Sequence, residues 1–367
     1  MIKVSRKASR NLLLWQGGWW LALIWVVASA EAQTCQSATD MDAAVRSALE
    51  TMGRRYFDMA ARGDSGGLKQ NAIPALASNF GGIEAAVKDN QPAFAGTQVT
   101  VRPPFFLAAD GNQPLARAEF LCGVFGSTGQ TRDSAVFVLN NLPPGKYGVA
   151  IVDAKGSLGT RTLTLILQQL GADWRLAGFY ARSSQVNGHD ASWFAQRARE
   201  FKTKGQNHNA WLYFREAITL TAPADFMSSL ATDKLYDEAQ SVQPGDIPSP
   251  DHPLVVVGHI GPTESYVVEH QQPQKQTEQF SVAKAGKSYS ITQMFPLAVG
   301  NDLNVVVKYQ SADISNTGQI FQDNMAVIRG LVAKFPEFRD AFDGVVARAV
   351  DPSGQDYGSM LPMKQIK

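Results

Sequence analysis

Residues 145–181 read GKYGVAIVDAKGSLGTRTLTLILQQLGADWRLAGFYA. Apolar side chains alternate along this stretch, and turn residues interrupt it at Gly156-Ser157 and Gly171-Ala172-Asp173. A period of two with such punctuation predicts antiparallel strands over 147–153, 161–169 and 174–181. Working upstream, the same pattern predicts strands over 98–101, 117–125 and 133–140, with Gly126-Ser127-Thr128-Gly129 and Pro143-Pro144-Gly145 as connections. Before residue 98 the period changes. Met41, Val45, Leu49, Met52, Tyr56 and Met59 recur at helical spacing. They predict a helix over 41–62 that Thr39-Asp40 can cap and Gly63 ends, with shorter helices over 68–76 and 83–88. Helices first and antiparallel strands after is an α+β order.

Ala61-Arg62-Gly63-Asp64 closes the long helix, and Asp173-Trp174-Arg175-Leu176-Ala177-Gly178-Phe179-Tyr180 forms the last strand. In these features and in its element order, the segment 38–185 resembles the nuclear transport factor 2-like family, also called SnoaL-like. The resemblance implies one long and two short helices packed into the concavity of a curved antiparallel sheet.

From Asp190 the pattern is helical again. Ala198, Phe201, Gly205, Ala210, Phe214 and Ala217, with Pro223, resemble one tetratricopeptide-type helical hairpin within 189–242. No second copy follows, and a solenoid needs about three repeats, so the hairpin is expected to pack on a neighbouring domain. A third helix is predicted over 231–242. Pro244, Gly245, Pro248, Pro250 and Pro253 make a stiff linker over 243–253. A small α+β domain is expected over 254–350, with strands over 254–260, 265–269, 279–283, 289–295, 303–309 and 345–350 and a helix over 317–335. The polar segment 351–367 reads as an extended tail. The whole chain resembles exported bacterial proteins that couple such a cone fold to a helical hairpin, a likeness that implies no activity.

The chain has 367 residues, with 34 Lys+Arg against 33 Asp+Glu, and is 44% hydrophobic and 18% charged. At roughly 100–200 residues per domain this length suits two or three domains. The composition excludes disorder and bulk positive charge of the kind that binds nucleic acid. Lys3, Arg6, Lys7 and Arg10 precede a mostly apolar run over 12–27, and Ala28-Ser29-Ala30 and Ala30-Glu31-Ala32 are small-x-small sites. This is the pattern of a secretory signal peptide over 1–30, cut after Ala30 or Ala32. The alternative is an uncleaved anchor; Gln16-Gly17-Gly18 inside the run argues against it. Contact with a membrane is then expected only transiently, through this segment. Without it the net charge falls from +1 to about −3. In an oxidising compartment Cys35 and Cys122 are candidates for one disulfide, the alternative being two buried thiols.

Several motifs imitate chemistry. Gly63-Asp64-Ser65-Gly66-Gly67 matches the segment around a serine-protease nucleophile, but no His precedes it and a long helix stands where a strand is needed. It reads as a helix C-cap and turn. Gly286-Lys287-Ser288 ends like a phosphate loop, yet Ser281 occupies the position of the required first glycine, and a strand pattern follows. Gly123, Gly126 and Gly129 lack dinucleotide spacing. The five histidines, His189, His208, His252, His259 and His270, form no ligand pair with i, i+4 spacing, so no metal or other cofactor is expected. Asp190 after His189 reads as a helix cap.

Three carboxylates are weak catalytic candidates: Glu119, Asp133 and Asp153. Glu119 in mid-strand would be a desolvated general base if it lined the cone. Otherwise it faces solvent and pairs with Arg117, two residues along on the same face. Asp133 and Asp153 sit at strand edges, where turn formation is the ordinary role. Without a convergent catalytic set, the expected function is an exported, non-catalytic binding or assembly module for a protein partner or small apolar ligand. The alternatives are a small-pocket isomerase, cyclase or hydrolase on this fold, and a periplasmic small-ligand carrier. Whether one of the three carboxylates points into a closed apolar cavity discriminates the enzyme from the others, and ligand-induced thermal stabilisation separates carrier from scaffold.

Overall fold

A computed structural model describes residues 33–124, 130–131, 133–258, 286–300 and 302–367. The expected signal segment, the strands expected over 265–269 and 279–283, and His259 and His270 lie outside the described residues. Residues from Ala32 to Lys367 form one compact unit. In chain order its elements are β1 (Gln33–Gln36), α1 (Ala43–Ala61), α2 (Ser65–Gln70), α3 (Pro74–Ser78), α4 (Gly81–Phe94), β2 (Gln98–Val101), β3 (Phe105–Ala109), β4 (Leu115–Cys122) and β5 (Ala135–Leu142). Next come β6 (Gly145–Gly156), β7 (Gly159–Leu170), β8 (Asp173–Ser183), β9 (Gln185–Val186), β10 (His189–Asp190), α5 (Ala191–Thr203), α6 (Asn207–Thr221), β11 (Met227–Ser229) and α7 (Leu230–Gln240). The last are β12 (Leu254–Gly258), β13 (Lys287–Val299), β14 (Asp302–Gln310), α8 (Thr317–Lys334), β15 (Gly344–Val350) and β16 (Asp356–Pro362). The α+β class read from the sequence is the class observed.

The stretch 145–181 is the centre of the first sheet, ordered β1-β3-β6-β7-β8 with β2 also on β6. β6, β7 and β8 pair antiparallel in long registers. Both faces of this sheet are buried. Ala150, Val152, Leu163, Leu165 and Leu167 pack with Leu49, Tyr56, Phe57 and Phe94 of the helical layer. Val149, Ile151, Ile166 and Leu107 pack instead on Phe120, Phe137 and Leu139 of the small sheet β11-β5-β4. The alternation in β6 therefore serves two cores rather than one core and solvent.

Local chemistry sets the ends of the helices. Asp42, not Thr39-Asp40, caps α1, accepting from Ala44 N at 2.8 Å. Asp40 is held by the Ser37 hydroxyl instead. Gly63, at φ +73°, takes the left-handed position after α1. Asp64 then accepts from Gly67 N and starts α2, so Gly63 is the expected C-cap while Ser65-Gly66-Gly67, expected as a turn, is the first turn of α2. The helix expected over 68–76 is divided, because Pro74 stands in the first turn of α3 and Ile73 before it is extended.

The second half of the unit has its own core. The helical hairpin α5–α6 contributes Phe194, Phe201, Tyr213 and Phe214, and the C-terminal sheet contributes Ile291, Val305, Val307 and Val345. That sheet is ordered β12-β13-β14-β15-β16. It is mixed: β14 and β15 run parallel, which the α8 crossover permits, and the other pairs are antiparallel. The segment read as an extended tail supplies β16, an edge strand whose alternating apolar residues are diluted by Gly358 and Ser359. Met363 and Ile366 beyond it are buried.

Cys35 in β1 and Cys122 in β4 are disulfide-bonded, with Cα atoms 5.0 Å apart. The bond ties the first sheet to the small sheet over a sequence separation of 87 residues. Closing a loop of that size restricts the unfolded chain, an effect of typically about 2–4 kcal/mol. A Cys35→Ser/Cys122→Ser variant is expected to lose stability of that order, read as a lower urea midpoint with a slope no smaller than the parent's, since the uncrosslinked chain unfolds to a more open state. An unshifted midpoint would show that the bond contributes nothing.

Candidate functional site

The three carboxylates singled out by sequence lie apart. Glu119 is exposed on β4 and takes a hydrogen bond from Arg117 Nε at 2.7 Å. Asp133 is exposed before β5. Asp153 is half-buried in β6 and accepts from Arg102 at 2.6 and 2.8 Å and from the Thr162 hydroxyl at 2.8 Å. It edges a surface cleft of about 630 Å³ with three donors already bound to its two oxygens. None of the three enters a closed apolar cavity. The space between the helices and the first sheet, where such a cavity was expected, is filled by Leu49, Tyr56, Phe57, Phe94, Leu165 and Trp174.

Two other polar clusters are likewise satisfied. Beneath α8, Asp323 accepts from Lys287 Nζ at 2.6 Å, Tyr289 Oη at 2.9 Å and Gln319 Nε2 at 3.2 Å. Lys287 and Ser288 lie in strand β13, so the phosphate-loop imitation has no helix N-terminus to offer. A cleft of about 440 Å³ beside α5 holds His189, stacked on Trp193 at 3.8 Å, with Arg197 and Glu200 paired at 2.6 Å. Asp190 caps α5 as expected, accepting from Trp193 N at 3.0 Å. Among the described residues no group of His, Cys, Asp and Glu could hold a metal ion.

His208, at the start of α6, bridges Asp246 of the Pro-rich linker at 2.8 Å and Glu337 at 3.2 Å. Burial opposes its protonation, but the hydrogen bonds to Glu337 and Asp246 outweigh that and raise its pKa above the ordinary value. Its stabilisation is complete below the unfolded value and is lost as pH rises through the folded one. This is a clamp that fastens the linker.

Ser134 Oγ, Arg161 Nε and Asn209 Oδ1 are buried without a partner among the described residues, and Glu216 is a carboxyl without one. It lies on α6 and is only 7% exposed. Among the described residues it has no hydrogen-bond or ion-pair partner, and burial alone pushes its pKa up to about 7. It lines a cleft of about 430 Å³ at the meeting point of three parts of the chain. The end of the first sheet supplies Arg182 and Ser183, and the short strand β9 after it supplies Val186; α6 supplies Arg215, Glu216, Thr219 and Leu220; β13 supplies Phe295, Pro296, Leu297 and Ala298. Arg182 is ion-paired with Asp225. The cleft thus presents one desolvated acid on its helical side, an apolar wall opposite, and guanidinium groups among its lining residues.

Sequence reasoning passed over Glu216. The available signal was spacing: Leu212, Glu216 and Leu220 stand four apart on one helix face, and a Glu inside an apolar stripe is unusual. The apolar face identified from sequence, through Ala210, Phe214 and Ala217, is a different one. Comparison with family models, with curated proteins and with solved structures finds no match to this chain.

The ordinary pKa of 4.5 against a folded value of about 7 fixes the sign of the pH effect. Below 4.5 both states are protonated. Between the two values the unfolded chain ionises and the native chain does not, so stability falls as pH rises, by about 3 kcal/mol in all. Glu216→Gln is expected to match the parent at pH 4 and to exceed it by about that amount at pH 8. Urea unfolding at both values checks this; equal stability at pH 8 would show that the carboxyl is already compensated.

Proposed function

We propose that the chain is an exported binding module whose ligand enters the cleft between α6 and β13. One observation carries the reading: a largely buried carboxyl residue without a protein partner lines an open cleft rather than a packed core. An unpaired buried acid costs stability, and a ligand that completes it recovers that cost on binding. Segment 38–185 is read as a nuclear transport factor 2-like unit. Its support is the long helix α1 followed by shorter helices, all packed on one antiparallel sheet. In this reading its interior is structural, being filled with large side chains. The tetratricopeptide-like hairpin α5–α6 presents Glu216, and the C-terminal sheet supplies the opposite wall.

Export rests on the basic and apolar segment over 1–30 and on the disulfide, which an oxidising compartment preserves. No helix among the described residues is long and apolar enough to cross a membrane. Expressed from its full sequence, the secreted protein is expected to begin at Glu31 or Gln33 on N-terminal sequencing. Recovery with Met1 intact in the membrane fraction would replace the signal peptide with an anchor.

A second reading keeps the same cleft but makes Glu216 a general base, since a carboxyl near pH 7 in an apolar setting suits proton abstraction. Ligand-induced thermal stabilisation of the secreted protein across a metabolite panel tests the binding reading. Stabilising compounds are expected to lose their effect in Glu216→Gln. Stabilisation that is identical in the variant would place the site elsewhere. Chemical conversion of a stabilising compound, abolished by the same substitution, would favour the enzyme.

A further inference from the structure

The charges around the cleft narrow the ligand class. Glu216 lacks a cation or strong donor, and a bound ammonium group would supply both charge and hydrogen bonds. An ammonium group alone would also face the guanidinium groups that line the same cleft. Arg182 is largely neutralised by Asp225. Arg215 is exposed, lies over the Trp211 ring at 5.8 Å and pairs with no carboxylate among the described residues. The cleft therefore offers one acid without a cation and one cation without an acid on neighbouring residues of α6. Neither Val186 nor the β13 residues that line it bear a titratable group, so their contribution is apolar area.

Resting on the binding function proposed above, we infer that the cleft takes a small zwitterion with an apolar body, such as a free amino acid with an aliphatic or aromatic side chain. Its ammonium group meets Glu216, its carboxylate meets Arg215, and its side chain lies on Phe295 and Pro296. The volume, about 430 Å³, is within the range of small-molecule sites. Opposite charges on one ligand make each polar end favourable where the other alone would be repelled or left unpaired. The apolar wall then selects against small polar amino acids.

Isothermal titration calorimetry at pH 8 on the secreted protein tests this with three probes: L-leucine, hexylamine and hexanoate. L-Leucine is expected to bind one per chain, and each single-charge probe at least about tenfold more weakly. Glu216→Gln should lower leucine affinity about tenfold or more, and Arg215→Gln several-fold, both with unchanged circular dichroism. Glu119→Gln should leave it unaltered. Hexylamine binding as tightly as leucine, or leucine binding untouched by Arg215→Gln, would overturn the zwitterion while leaving a Glu216-dependent binding site. No binding of leucine, with panel compounds still acting through Glu216, would overturn the ligand class alone. If no compound at all depends on Glu216, the inference and the binding function fall together.

Discussion

The architecture depends on strand β6 being buried on both faces. Val149 and Ile151 enter the core shared with the small sheet, while Ala150 and Val152 enter the helical core. A strand with one wet face could tolerate polar alternation; this one cannot, and its sequence YGVAIV is accordingly almost wholly apolar. Small residues regulate the spacing. A Cβ on Gly148 would stand 2.2 Å from Leu49 Cδ2, and one on Gly53 would stand 2.9 Å from Ala150 Cβ. Helix α1 can thus lie close on the sheet only because neither position carries a side chain. The disulfide fastens the opposite face of the same sheet, so the two layers around β6 are held by independent means.

This central burial explains which parts of the fold the sequence showed. Strands β6 to β8 and helix α1 were legible because their apolar residues obey one period over a long stretch. β1 and β3 were not. β1, QTCQ, has no apolar alternation and forms because it pairs with β3 at the register Cys35 to Leu107. β3, FFLAA, follows two prolines and is too short for periodicity to distinguish it from a loop. β16 was hidden in a tail whose polar residues are those expected of an edge strand facing water. In each case non-local pairing decides the structure, and a local pattern does not contain it.

The candidate site shows the same division more sharply. Glu119 was singled out because it interrupts an apolar strand, but β4 lies in the outer sheet and turns that face to solvent, where Arg117 meets it. Asp153 was noticed as a strand-edge acid, and its partner Arg102 is remote in sequence yet brought beside it by the pairing of β2 with β6. Glu216 was overlooked because α6 alone does not bury it. It is buried in the folded unit, where α6 and β13, a strand far along the chain, line one cleft. The Leu212-Glu216-Leu220 spacing marks the position, but the desolvation itself is a property of the assembled core.

That assembly gives the cleft its energetic character. A fully satisfied acid, such as Asp323 with three donors, anchors α8 and has little to gain from a ligand. Glu216 is in the opposite state: folding buries it and supplies no donor in exchange. Replacing it with Gln would relieve the protein. Its presence is then an argument about selection between folding and function, because folding by itself favours any neutral side chain of that shape. A strained element of this kind belongs where a second molecule completes the unmade interaction. In the proposed reading that molecule is amphoteric, because the same cleft is lined by Glu216 and by Arg215, neither of which has an opposite charge as its partner among the described residues.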